Sequence, residues 1–355
     1  MNKRQKDFLC IKKSLSDTIK FDNESCIMSQ GDSLEILKRI PAKSISLILT
    51  DPPYHSTKKK NIKGDSDFRE DADFLNWIGK YIQEWQRILK PNGSIYCFCS
   101  SKMSNAVENK FRECFNVLAN IVWTKPNEKG FDGWKQKMKK ENLRQWYLDS
   151  ERIIFAEPRF AGNPSGTYLG NFLKDVRIKS KISAKDLAES IGAYGKINHG
   201  GAVCNWETGR NIPSKEQYSK LCKAITDIGI VKRMPDYDDI VRVFNISADS
   251  PFTDVWNFKT VKPYKGKHPA EKPLDMLNHI IQASTNKDDI VLDCFSGSGA
   301  TVLSALQLNR FGIGIEIETD WINSSIKAIK TYTEKRRITL NKNNILQESD
   351  SLFLF

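Results

Sequence analysis

The eight cysteines of the chain include no paired Cys-x-x-Cys spacing, which speaks against a zinc framework. Cys97-Phe98-Cys99 alternates along an apolar stretch, the pattern of reduced, buried thiols on a core strand and not of a disulfide scaffold. No segment is long and apolar enough to span a membrane, and the lysine-bearing N-terminus lacks the apolar core of a signal peptide. A cytoplasmic protein is expected. No second histidine or cysteine stands at ligand spacing from His268, so no metal is expected there. Acidic residues are in deficit: 55 Lys plus Arg against 43 Asp plus Glu leave a formal charge of +12. That balance favours a polyanionic partner, although solubility alone would also account for it. The 355 residues suffice for one large α/β domain with a smaller one attached.

What is present begins with Asp51-Pro52-Pro53-Tyr54, which closes the apolar run Ile45 to Leu49. Two prolines fix φ and remove two backbone donors, so the neighbouring carbonyls stay free to accept hydrogen bonds. An exocyclic amine of a flipped-out nucleobase needs such acceptors: Asp51 can take one N–H, the Pro52 carbonyl the other, and Tyr54 can stack on the ring. The same tetrapeptide also reads as an ordinary strand-ending proline turn.

A second segment lies far along the chain. Ile290 to Leu292 forms a short apolar strand running into Asp293-Cys294-Phe295-Ser296-Gly297-Ser298-Gly299 and then a helix-like stretch, Ala300 to Leu308. Gly297 and Gly299 let the backbone approach a ligand, and the helix start offers free N–H groups. Phe311 to Ile315 then reads as a strand ending in Glu316, at the distance where α/β nucleotide folds place a ribose-binding carboxylate. The third glycine of the dinucleotide fingerprint is missing, with Val302 in its place, which weighs against a nicotinamide cofactor.

Together the two segments resemble the S-adenosylmethionine-dependent amino-methyltransferases of DNA, which methylate N6 of adenine or N4 of cytosine. The tetrapeptide precedes the glycine loop, which is the permuted motif order of the β group of those enzymes. Further stretches match in the same order: Gly31-Asp32-Ser33, Gly93-Ser94-Ile95-Tyr96, Val122-Trp123-Thr124-Lys125-Pro126 and His268-Pro269-Ala270-Glu271-Lys272-Pro273. The resemblance covers residues 27–157 and 252–330; Cys294 stands where proline is usual, and Ala300 where threonine is common.

The resemblance implies S-adenosylmethionine as cofactor, double-stranded DNA as partner, and catalysis by Asp51, Pro52, Pro53 and Tyr54. It implies that Asp293, Phe295, Gly297 and Gly299 hold the methionine part, Glu316 the ribose and Asp32 the adenine amino group, with His268 and Lys272 lining the pocket. Asp32 also reads as a helix cap for Leu34 to Ile40. Asp at the head of the tetrapeptide leans towards adenine, because the family's cytosine members more often carry serine there. Cytosine-N4 methylation stays open as an alternative, as do methylation of RNA or a protein amide and a non-catalytic DNA-binding regulator. A homodimer and a cognate restriction endonuclease also stay open.

The fold class implied is α/β, a doubly wound Rossmann-like methyltransferase sheet with permuted motif order and an inserted all-α helix-turn-helix domain. The expected division is residues 1–160 for the catalytic half, 161–232 for the insert, 233–335 for the cofactor half and 336–355 for a C-terminal tail. In the catalytic half, Phe74 to Leu89 reads as a helix closed by Pro91-Asn92-Gly93, Ser94 to Cys99 as a strand, Ser104 to Cys114 as a helix and Val117 to Trp123 as a strand. The lysine-rich segment His55 to Asp67, with Lys58, Lys59 and Lys60, reads as a loop beside the site that closes over DNA, or as a merely solvated loop.

In the insert, helices are expected over Leu173 to Lys179, Ser183 to Ile191, Lys196 to Trp206 and Ser214 to Ile225. Leu187-Ala188, Trp206-Glu207, Gly209 and Pro213-Ser214 resemble the helix-turn-helix of phage repressors. That resemblance implies Lys196, Asn198 and His199 as base or phosphate contacts and Arg210 as a phosphate contact. It places the target-recognition domain here, with flanks 127–146 and 234–258 completing the DNA cleft; a plain helical bundle for packing is the alternative.

Overall fold

The computed structural model describes residues 1–55, 68, 70–125, 139–146, 148–160, 166–193, 200–247 and 250–352, with side chains as far as residue 338. Lys58, Lys59, Lys60, Lys196, Asn198 and His199 lie outside the described residues. In chain order the elements are α1 (Lys3–Ser14), β1 (Ile19–Asp22), β2 (Cys26–Gln30), α2 (Ser33–Arg39), β3 (Ile45–Thr50), α3 (Asp71–Ile88), β4 (Leu89–Ser100), α4 (Ser104–Cys114), β5 (Phe115–Thr124) and β6 (Ser150–Pro158). There follow α5 (Tyr168–Lys179), α6 (Ala184–Ser190), α7 (Gly201–Glu207), α8 (Lys215–Asp227), α9 (Tyr237–Ile240), β7 (Val255–Trp256), α10 (Leu274–Ser284), β8 (Ile290–Asp293), α11 (Ala300–Gln307), β9 (Phe311–Glu316) and α12 (Thr319–Leu352).

The strands form one nine-stranded sheet in the order β1-β2-β9-β8-β3-β4-β6-β5-β7. β2, β9, β8, β3 and β4 run parallel, and β6 lies antiparallel to both β4 and β5. All six residues of β3 are buried because helices cover both faces, which is why the run is apolar throughout and does not alternate with polar residues. Its side chains still alternate between the two faces: Ile48 packs in the cluster of Trp85 of α3, Leu47 and Leu49 pack with Met276 and Ile280 of α10, and Ile45, before the register slip between Ile45 and Leu47, joins the Trp85 side.

From β8 the chain winds outward to β9, and from β3 it winds the other way to β4. The carboxyl ends of β3 and β8 therefore flank the point where the winding reverses, the place where open α/β sheets bind ligands.

Two local expectations are corrected. Pro91-Asn92-Gly93 is not a turn closing α3; it falls inside β4, where the register against β3 slips between Ile45 and Leu47. A residue without an amide hydrogen is tolerated at such an irregularity. The third helix of the insert, expected from Lys196, is described only from Gly201.

The helices α5 to α8 build their own core around Trp206, Leu187, Val203, Leu221 and Ile225. Ser183 caps α6 by accepting from Asp186 N, and Ser214 with Gln217 forms a capping box on α8. Arg177 of α5 and Glu207 of α7 meet in a two-pronged ion pair at 2.5 and 3.0 Å. The unit is anchored near the amino end of β4. Tyr168 N and Arg242 donate to Glu157 at the close of β6, Asn116 at the start of β5 donates to Gly166 O, and Asn92 donates to Asp238 O. A reader beside the catalytic cleft would sit at the carboxyl ends of the parallel strands; this unit is fastened at their amino ends.

Candidate active site

A cavity of about 740 Å³ opens at the carboxyl ends of β3, β8 and β9. It is continuous from the tetrapeptide to the glycine loop: Asp51, Pro52, Pro53 and Tyr54 line one part, and Asp293, Phe295, Gly297, Glu316 and Asp32 another. Residues more than two hundred positions apart meet because β3 and β8 are adjacent in the sheet.

Lys272 dominates the tetrapeptide end. Its ammonium lies 2.6 Å from Asp51 Oδ2 and 3.3 Å from Glu151 Oε2, with 9% of its side chain exposed, so both carboxylates are held by one buried cation. Glu151 also accepts from Lys125 at 2.5 Å and from the Tyr54 hydroxyl at 3.1 Å. Asp51 Oδ1 is buried with no hydrogen-bond partner among the described residues. One oxygen of Asp51 is thus fixed and the other is left for something that enters.

Burial pushes the Asp51 carboxyl up; Lys272 opposes this and Glu151 adds to it. Burial would raise Glu151 as well, but Lys272 and Lys125 together pull it below the usual carboxylate range. Burial acts against the charge on Lys272, yet Asp51 and Glu151 outweigh it and raise the ammonium.

At the other end the loop after β8 is held from beneath. Asp293 Oδ1 accepts from Phe295 N and the Thr50 hydroxyl, both at 3.1 Å, and burial pushes its carboxyl up to about 7. Glu316 accepts from Gly297 N at 2.8 Å and from Ile317 N and Glu318 N at 2.9 Å, so it braces the glycine turn while facing the cavity. Burial still raises the Glu316 carboxyl against those three donors. Ser296 Oγ is a further buried oxygen with no partner among the described residues.

Gly297 has φ +46, and a Cβ there would meet the His268 ring at 3.2 Å. His268 stands edge-on to Trp321, with ring centroids 4.4 Å apart, and accepts from Ala270 N through Nδ1. Burial, helped by Lys272 and Lys267, lowers its pKa to about 4, so near neutral pH it is an uncharged wall of the pocket. Asp32 lines the cavity and also caps α2, accepting from Leu34 N and Glu35 N through Oδ1. Cys294 accepts from the Trp85 indole at 3.2 Å, and its carbonyl accepts from Ser33 Oγ at 2.6 Å.

Two expected cofactor residues stand differently. Gly299 is not on the cavity wall; it begins α11 in close contact with α12. Lys272 lines the cavity, but its charge goes to Asp51 and not to the glycine loop. Arg210 is exposed in the turn after α7, remote from this cavity.

A model of the DNA methylase family that spans N6- and N4-specific enzymes matches residues 45–327. This chain belongs to that family. It is a DNA methyltransferase, and two curated relatives align over most of its length. The DNA adenine methyltransferase YhdJ of Escherichia coli (strain K12) is 26% identical, covering 87% of this chain and 84% of that one. The type II methyltransferase M.BglII of Bacillus subtilis is 24% identical, covering 87% and 74%. Among solved structures, the PvuII DNA methyltransferase, titled cytosine-N4-specific, shares the fold at a TM-score of 0.51 and 17% identity, covering 87% of this chain and 88% of that one.

In this methyltransferase the residue that sequence reasoning missed is Glu151. Nothing near it marks a site. It enters because β6 pairs with β4 and β5, which sets Glu151 opposite Ser100 and Trp123, level with the tetrapeptide. Trp77 and Tyr81, on the pocket wall from α3, fall inside the helix expected over Phe74 to Leu89 but were not singled out in it.

Proposed function

We propose that the chain transfers a methyl group from S-adenosylmethionine to N6 of an adenine flipped out of duplex DNA. The observation that carries this is the buried, unpartnered Asp51 Oδ1 on the wall of a cavity shared with the glycine loop. The cavity residues fit a nucleoside that bears an amino-acid tail. Glu316 faces the space where ribose hydroxyls would lie, Asp32 keeps Oδ2 out of its cap bonds, and any side chain at Gly297 would crowd His268. When bound, S-adenosylmethionine supplies an electrophilic sulfonium methyl.

The protein's own part is placement and charge. Asp51 Oδ1 accepts one amino hydrogen and the Pro52 carbonyl the other, which draws the nitrogen lone pair out of conjugation and towards the methyl carbon. Tyr54, held by Glu151, supports the base. As the new bond forms, the nitrogen becomes cationic and its proton becomes acidic. Asp51, raised by burial, accepts that proton, and Lys272 keeps the carboxylate in place throughout. Adenine is favoured over cytosine by Asp at position 51 and by the adenine specificity of the relative YhdJ; the cytosine-N4 specificity of the PvuII enzyme keeps cytosine N4 as the second reading.

Residues 161–232 are read as a helix-turn-helix module that binds DNA, flanked by the catalytic half 1–160 and the cofactor half 233–335. The test is digestion and mass spectrometry of DNA methylated by the purified chain, which separates N6-methyladenine from N4-methylcytosine. Asp51→Ala is expected to lower turnover by at least about 10²-fold, the scale of removing one oriented hydrogen-bonding group, while S-adenosylmethionine still binds. Normal turnover in that variant would sink the mechanism.

A further inference from the structure

The helical unit α5 to α8 is fastened at the end of the sheet opposite the cavity, the wrong end from which to read the duplex whose base is in the cavity. From Ser94 at the base of β4 to Ser100 at its top is six residue steps, about 20 Å at 3.3 Å per residue. The anchors of the unit, Glu157, Asn92, Asn116 and Asp238, all lie at the lower end. A duplex over the cavity would have to reverse around the sheet to reach it. Even a smooth bend of a duplex over about 20–30 base pairs has an elastic cost, and a reversal costs more.

The unit is nevertheless built for a polyanion. Residues 161–232 carry 11 Lys and Arg against 6 Asp and Glu, so a fifth of the chain holds +5 of its +12. Lys174, Lys181, Arg210 and Lys223 are exposed and form no ion pair among the described residues. Lys185, near the start of α6, has only a long contact of 3.9 Å with Glu189. Other cations of the unit are paired: Arg177 with Glu207 inside it, Lys179 with Asp175 and Lys220 with Glu216 along its helices, and Lys215 with Asp238 beside its anchor.

We propose that this surface binds a second segment of duplex DNA, distinct from the one being methylated, so that a single chain holds two duplexes at opposite ends of its sheet. The inference rests on reading residues 161–232 as a DNA-binding module and changes what that module does: it holds DNA elsewhere and leaves choice of the target base to the cavity end. Contacts to the second segment are made largely to phosphate, since its exposed cations are mostly lysines.

The experiment uses the full chain and two short duplexes of about 14 base pairs, one containing the sequence that the enzyme methylates and one unrelated. Titration is expected to saturate at two duplexes per chain, and the same stoichiometry is expected of Asp51→Ala, whose catalysis is disabled. Charge reversal at Lys181→Glu with Lys185→Glu should weaken binding of the unrelated duplex at least about tenfold and make its affinity less salt-dependent. Methylation of the short target should stay within about twofold of wild type. Circular dichroism and thermal unfolding at the wild-type midpoint confirm that the variant is folded.

Parallel loss of target methylation in the folded variant would overturn the inference, because it would mean that the unit reads the target duplex. Saturation at one duplex with unchanged affinity in the variant would overturn both the inference and the DNA-binding reading of the module. A chain that dimerises through this face, seen by sedimentation and blocked by the variant, with one duplex bound per chain, would overturn it as well. Failure of methylation in wild type alongside two bound duplexes would sink the proposed activity and leave the inference standing.

Discussion

At Asp51 four influences compete: burial and Glu151 raise its pKa, and Lys272 and the Tyr54 hydroxyl lower it. The carboxylate form must be present to accept an amino hydrogen, so the acid limb of kcat/KM follows this group. Removing the negative neighbour in Glu151→Gln should lower the Asp51 pKa and move that limb to lower pH. Removing the cation in Lys272→Gln leaves two buried carboxylates side by side and should move it to higher pH. Displacements of about 0.5–1 pH unit each are expected, since one unit corresponds to about 1.4 kcal/mol. The measurement is kcat/KM against pH for the three proteins; limbs moving in the same direction would show that the network does not act through Asp51. This residue scale also shows the limit of reading the chain alone. Asp51, Asp293 and Glu316 are each the end of an apolar run and so announce themselves, whereas Glu151 sits at the start of a strand among polar residues and gains its role only from strand pairing.

At the scale of elements, the glycine loop works because α11 can start hard against α12. Gly299 has φ +76, and a Cβ there would lie 2.6 Å from Ser325 Cβ. Gly299→Ala therefore meets both backbone strain, about 1–3 kcal/mol for a non-glycine residue held in this region, and a collision with α12. Adding Ser325→Gly removes the collision but not the strain. Urea unfolding of the single and double variants should show the double recovering part of the lost stability. No recovery would mean that the contact with α12 does not set the position of the loop. Elements with strong periodicity or a glycine stop were legible: β3, α4, β8, β9, α6 and α8 lie within a residue or two of their expected spans. β1, β2 and β6 were not: β1 and β2 are short and bounded by polar residues, and β6, although nine residues long, is recognisable mainly by the neighbours it pairs with. Pro91 misled for a related reason, because the irregular register that accommodates it in β4 exists only once β3 is alongside.

Across the whole molecule, the family could be read from motif order, but the placement of the insert could not. Sequence position between the two halves of the sheet says nothing about which edge the insert occupies. That is set by β6, which runs antiparallel and so delivers the chain to the amino ends of the parallel strands before α5 begins. If two segments of DNA are held at opposite ends, a long DNA molecule can engage both, and the second contact becomes intramolecular with a raised effective concentration. Wild-type kcat/KM per target should then be higher on kilobase-length DNA than on a short duplex, by at least about tenfold at low salt. The advantage should shrink as salt rises, because phosphate contacts weaken steeply with ionic strength. Lys181→Glu with Lys185→Glu should abolish the long-DNA advantage while leaving the short-duplex rate in place. Equal kcat/KM on long and short DNA at low salt, in an enzyme that binds two short duplexes, would mean that the two ends cannot be bridged by one molecule, and that the second segment must come from another DNA.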